Sequence, residues 1–235
     1  MAININPNAF SPSATGTRPA ERAAATSDAR AAASTSSGTI VQDGVSLSTT
    51  SRQLAQSAIQ AEQRDASLTR SQLADEASRL RDQFSGNTYN EAAAVREVPD
   101  TDDPALLERA KQATDFTQSH GQRGTNPFAN LSDDQLTLVM YDDSGSYTTN
   151  ERRAAYLEQT DRRQDWKKSV VAAGMAEYKA TGQNDKFFQN CIDYYEGLPP
   201  IEQAQYPVDY VERRQHWIEN NKPYSGAPTI NAIDR

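Results

Sequence analysis

The chain has 235 residues, with 24 Lys and Arg against 32 Asp and Glu, a formal charge of -8. Hydrophobic residues make 36%, low beside the roughly 45–50% apolar share of a typical globular chain, so a long solvated segment is expected beside any packed domain. The acidic balance argues against a nucleic-acid binder held by general attraction to phosphate, the single Cys191 excludes an intramolecular disulfide, and no apolar run approaches membrane-spanning length.

Residues 1–50 are rich in Ala, Ser and Thr, and no aromatic residue falls between Phe10 and Phe84. Such a stretch buries too little apolar area to offset the entropy of ordering its backbone, about 1–2 kcal/mol per residue. Residues 1–44 are therefore predicted to be a disordered arm. Ile3, Ile5 and Phe10 are too few and too spread for the core of a Sec signal peptide. In composition the arm is similar to flagellar and type III export signals, which are unfolded and uncleaved. The expected location is cytoplasmic, or exported by a non-Sec route.

From Asp43 the pattern changes. Leu47, Leu54, Ala61 and Leu68 recur every seven residues, and Leu73, Leu80 and Phe84 continue the stripe after a shift of register. This predicts one long amphipathic helix over residues 45–86, capped by Ser48, Thr49 or Thr50 and ended by Gly86. Its narrow, alanine-rich seam needs a partner. That partner is either the chain's own core or another protein or second copy. Leu47, Leu54, Leu68, Leu73 and Leu80 are the candidate partner-binding residues. On the external reading, Leu54→Asp with Leu68→Asp leaves the carboxyl-terminal fold intact.

The run from Ser36 to Ser48, containing Val45-Ser-Leu-Ser48, with Arg52-Gln-Leu-Ala55 after it, resembles the amino-terminal half of flagellar anti-sigma factors. Tyr141-Asp-Asp-Ser-Gly-Ser-Tyr-Thr148 with Arg152-Arg-Ala-Ala155 is faintly similar to their sigma-binding stretch. The resemblance covers about a quarter of the chain and implies a sigma factor as partner. The length and the large second half depart from that family.

Residues 87–100 read as a linker and 101–222 as a compact helical domain, followed by a tail over 223–235. Asp102 or Asp103 caps a helix with Pro104 in its first turn and Leu106, Leu107, Ala110, Ala113 and Phe116 on one face. Gly121 closes it. Ser132-Asp-Asp-Gln135 and Thr148-Thr-Asn-Glu151 are capping boxes. The second opens a long helix to about Thr181, with Leu157, Trp166, Val170, Gly174 and Tyr178 as its later apolar face and Gly182 as the stop. Further helices are predicted from Asn184 or Asp185 to Gly197 and from Pro207 to Asn221. Both tryptophans lie in this half, and no segment alternates with period two, so the fold class is all-α.

Tyr141 to Glu151 resembles a shortened EF-hand loop. Gly145, Tyr147 and Glu151 keep the second half of the spacing, but Met140 stands where the first Asp belongs. The weak calcium candidates are Asp142, Asp143, Ser144, the carbonyl of Tyr147 and Glu151. The preferred alternative is a turn made by Asp142, Asp143 and Ser144, with Thr148 capping the next helix. On that reading micromolar calcium binding is absent and Glu151→Gln costs little, since Gln still closes the box. Thr148→Ala costs about 1 kcal/mol. A Cys191–His216 pair is conceivable, but Cys191 sits among apolar residues and reads as structural, and His120 stands apart in a loop. The basic pairs, such as Arg152-Arg153 and Arg162-Arg163, alternate with acids and read as a solvated face. Tyr206, Tyr210 and Tyr224 are candidates for the rim of a protein-binding surface.

These features point to a non-enzymatic bacterial interaction or regulatory protein without cofactor, with a flagellar or type III-like export substrate as one form of it, that meets a protein partner or itself through the 45–86 helix. The alternatives are a calcium-binding EF-hand-like module and a secreted effector with an unrecognised enzyme site.

Overall fold

The computed structural model describes residues 48–119 and 124–221. The expectations for the 1–44 arm, for Leu47, His120 and Gly121, for Tyr224 and for the 223–235 tail lie outside the described residues. The described chain is all-helical: α1 (Thr49–Ser67), α2 (Arg70–Ser85), α3 (Glu91–Ala94), α4 (Pro104–Gln118), α5 (Asp133–Met140), α6 (Thr149–Thr181), α7 (Asp185–Glu196), α8 (Pro200–Gln203) and α9 (Tyr210–Asn220). Among the described residues no helix is long and apolar enough to cross a membrane.

The helix expected over 45–86 is two helices. Leu68 and Thr69 are extended, and Thr69 forms a reciprocal capping box with Gln72. A β-branched residue whose hydroxyl bonds the backbone two or three residues on starts a helix better than it continues one. The break falls where the leucine stripe shifts register, so α1 and α2 each turn their own apolar side inward. Ser48 caps α1, accepting from the Ser51 amide at 3.2 Å.

α6 is the axis of the molecule, 33 residues and about 50 Å long. α4, α5 and α2 pack against it, α1 covers α4 and α5, and α8 lies on α2. Leu54, Leu73, Ala77, Leu80 and Phe84 join Ala113, Phe128, Leu136, Val139, Met140, Ala154, Ala155 and Ile201 in one core. The candidate partner seam is thus corrected: Leu54, Leu73 and Leu80 are buried within the chain itself, and Leu68 packs partly buried on the same core. Its many alanines let α1 and α2 lie close to their neighbours. Residues 87–100 are likewise no free linker. Ala94 is buried, its carbonyl accepts from Asn150 Nδ2 at 3.2 Å, and Glu97 accepts from the Thr149 amide at 2.9 Å.

The far half of α6 leaves this core and carries α7, with α9 packed on the outside of α7. Gly174 makes the first contact possible: a Cβ there would lie 2.7 Å from Phe187 Cδ2. Asn184 offers no side-chain cap to α7. Instead Glu177 of α6 reaches across, accepting from the amides of Lys186 at 2.9 Å and Phe187 at 3.1 Å. Trp166 stacks on Tyr194 at 4.0 Å, and Phe188 stacks on Trp217 at 5.4 Å. Tyr178, expected on the apolar face of α6, instead points to solvent.

Leu54→Asp with Leu68→Asp should therefore abolish the cooperative thermal transition seen by tryptophan fluorescence. The expected loss is at least about 3 kcal/mol, because Leu54 would bury an unpaired carboxylate.

Candidate functional site

Three places merit chemical scrutiny: the loop from Tyr141 to Glu151, the cleft behind it, and the exposed face of α6. The loop begins where α5 ends. Asp142 is buried. One oxygen accepts from the Ser57 hydroxyl of α1, and the other from the Ser144 amide at 2.9 Å and the Ser144 hydroxyl. This is an Asx turn. Gly145, at φ 82°, supplies the left-handed step that lets the chain reverse. Gln53 Nε2 holds the Ser146 carbonyl at 3.2 Å.

Thr148 then caps α6, its hydroxyl accepting from the Glu151 amide at 3.2 Å while Glu151 Oε2 accepts from the Thr148 amide at 2.8 Å. The other Glu151 oxygen accepts from Arg109 Nε of α4 at 2.7 Å. Glu151 is 0% exposed and Arg109 8%. Arg109 also donates to Gln53 Oε1 at 2.8 Å and Thr50 Oγ1 at 3.3 Å, and its guanidinium lies 5.0 Å from the Tyr147 ring centre. Arg152, equally buried, donates to the carbonyls of Met140 and Leu80 and to Gln83 Oε1. Burial holds its pKa below the ordinary arginine value.

The calcium candidates are therefore dispersed. Glu151 is held by Arg109 and Thr148, Asp142 by Ser57 and Ser144, and Asp143 and Ser144 stand exposed at the surface. Among the described residues no group of three or more His, Cys, Asp and Glu is placed to share a metal ion. Tyr147 is buried, with its hydroxyl beside Ser57 but lacking a well-formed hydrogen bond. Burial pushes its phenol up to about 12.

Behind the loop, Ser57, Gln60, Arg64, Glu76, Leu138 and Asp142 line a cleft of about 330 Å³. Arg64 bonds the Tyr141 carbonyl and Asp65, and Glu76 pairs with Arg79. The charged groups of the cleft are thus engaged, whereas Gln60 Oε1 is buried without a hydrogen-bond partner. A second pair, half-buried Arg163 with buried Glu202 at 3.0 Å, ties α6 to α8. Cys191 is buried, which raises its thiol pKa, and Arg214 beside it opposes the rise. Tyr206 and Tyr210, candidates for a surface rim, pack instead against Tyr195, with ring centres 5.5 and 4.9 Å away.

The exposed face of α6 is different in kind. Val171, Met175 and Tyr178 are 39%, 70% and 58% exposed. They follow the i, i+4, i+7 spacing of one helix face, which runs beside Gly174, the residue that α7 covers through Phe187. Sequence reasoning had placed Tyr178 with Gly174. The distinguishing signal was Gly174 with Glu177, which together mark the face that α7 occupies.

In comparisons with known proteins, no family model, no curated protein and no solved structure matches this chain.

The expectation that Glu151→Gln is mild changes with this geometry. The substitution should cost about 3–5 kcal/mol in urea unfolding, because it leaves the Arg109 charge buried and unpaired. Thr148→Ala should cost less, about 1–2 kcal/mol, since Arg109 keeps its partner.

The tyrosines set a limit at high pH. A phenol whose pKa is about 10 unfolded and about 12 folded binds its proton more tightly in the native state. Stability should be full below pH about 10 and fall as the pH rises toward 12, by about 2–3 kcal/mol from Tyr147 alone. Thermal melts across this range should show the decline, and Tyr147→Phe should make it shallower.

Proposed function

We propose that this chain is a non-enzymatic interaction protein whose docking face is the exposed side of α6. The observation that carries this reading is the stripe of Val171, Met175 and Tyr178. Isolated exposed apolar residues are ordinary, but a contiguous stripe on a helix extending from its core is a recurrent mark of a contact surface. Two features support it further. The core needs none of these three side chains, so the stripe is not explained by folding. The helix is also held rigid, by Gly174 against Phe187 and by Glu177 on the start of α7, so a partner binding there meets an ordered surface at little entropic cost.

The test pairs binding with folding. Met175→Glu with Tyr178→Arg should leave the melting temperature within about 2 °C of the parent, because surface changes rarely exceed ±0.5 kcal/mol. The same variant should lose the proteins captured by the tagged parent from its native cell. Unchanged capture would refute the α6 face as the docking surface.

A further inference from the structure

The stripe has a register that suits a second helix lying along it. Gln164, Lys168, Val171, Met175 and Tyr178 are separated by four, three, four and three residues, the spacing of a single helix–helix seam. One flank of this seam is taken, because Gly174 is covered by Phe187 of α7. The open flank carries Asp165, Ala172 and Lys179, all exposed. Its charge therefore reverses from one end to the other, with a small residue midway.

We propose that a second copy of this chain covers the stripe, lying antiparallel along α6 about a two-fold axis that crosses the seam between Val171 and Met175, at the level of Ala173. This rests on the reading of α6 as a docking face and names the partner. Antiparallel seams pair unlike positions whose numbers have a constant sum. Centred at Ala173, Val171 of each copy meets Met175 of the other, and Tyr178 lies over the aliphatic stem of Lys168 of the other. On the open flank each residue follows a seam residue by one position, so its pairs are offset from the seam pairs by about 3 Å along the axis: Asp165 of each copy lies within side-chain reach of Lys179 of the other, and the two Ala172 residues lie near one another. A parallel arrangement would set Asp165 against Asp165 and Lys179 against Lys179, which opposes it. Within one chain these two residues are 14 positions apart on the same straight helix, about 21 Å, so they cannot pair internally. The seam spans little more than three turns, well short of a standard interface of about 1,600 Å². The dimer is therefore weak and reversible, with a dissociation constant of about 10 μM to about 1 mM.

Sedimentation equilibrium of the full chain over a concentration series tests this. The weight-average mass should rise from monomer toward dimer, and Met175→Glu should hold it at monomer. Asp165→Lys alone and Lys179→Asp alone should each weaken dimerisation about tenfold, through like-charge contacts across the seam. Both reversals in one chain should restore it to within about threefold, since the pairs re-form with their signs exchanged. Thermal melts of each variant should match the parent, since Asp165 is solvent-exposed and its ion pair with Lys168 is worth little. A chain that stays monomeric at its solubility limit overturns the proposal, whether a foreign protein or the residues beyond Asn221 then cover the stripe. A double reversal that fails to restore dimerisation overturns it too. If the chain is monomeric while Met175→Glu still abolishes capture of another protein, the second copy is refuted and the docking face stands. If Met175→Glu alters neither mass nor capture, both are refuted.

Discussion

The Glu151 carboxylate is the fixed point of the fold. It lies in the first turn of α6, fully buried, and its two oxygens serve different neighbours: one closes the helix cap with Thr148, the other holds Arg109 of α4. Neither ion would be tolerable alone at such depth, since an uncompensated buried charge costs several kcal/mol. The residues around it extend the same arrangement. Asn150 bonds α3 and α4 through Ala94 and Thr114, Arg152 bonds α5 and α2, and Arg153 bonds the Phe84 carbonyl at the end of α2. One helical turn thus specifies where four other helices sit. Apolar burial supplies the driving force, while these directional contacts choose a single arrangement among the many that helices with alanine-rich faces permit.

Much of this was legible wherever the signal was local. Asp103 with Pro104, Ser132 with Gln135, and Thr148 with Glu151 all stand where their caps were read. The same grammar applied to Thr69 and Gln72 would have found the break between α1 and α2, but the continuing leucines masked it. What could not be read was pairing across the chain. Arg109 and Glu151 are 42 residues apart, and nothing local says that they meet. One trace was present: Arg109 stands among Leu106, Ala110 and Ala113, on the apolar side of α4, where a charge needs a buried partner. The leucine seam was seen, but periodicity alone does not distinguish a face turned to the chain's own core from one turned outward.

The two halves of α6 divide the labour. Near the core, Ala154 and Ala155 pack into the apolar interior while Asn150, Glu151 and Arg152 spend their polar groups on neighbouring elements, and the helix is a structural hub. Beyond Arg163 the same helix carries α7 on one side only, so half of its circumference is left for contacts outside the chain. Gly174 and Glu177 bring this about from opposite directions. The glycine lets an aromatic ring approach the backbone, and the glutamate supplies the cap that the start of α7 lacks. Their joint effect is to hold α7 on one flank of this face and leave Val171, Met175 and Tyr178 bare beside it.

Arg70 has a bearing on how the protein is made. From the first turn of α2 its guanidinium clasps the carbonyls of Gln203 at 2.6 Å and Tyr206 at 2.8 Å, 133 and 136 residues later in the chain. Non-local closures of this kind slow folding, because the loop entropy is lost before the contacts repay it. At ribosomal rates of about 5–20 residues per second, α2 waits about 6–24 s after its own synthesis before α8 has been made. For that interval Leu73 and Leu80 lie on a nascent helix without all of its native cover. The leucine seam, hidden in the finished protein, is then a transient apolar surface on the ribosome, of the kind that chaperones engage.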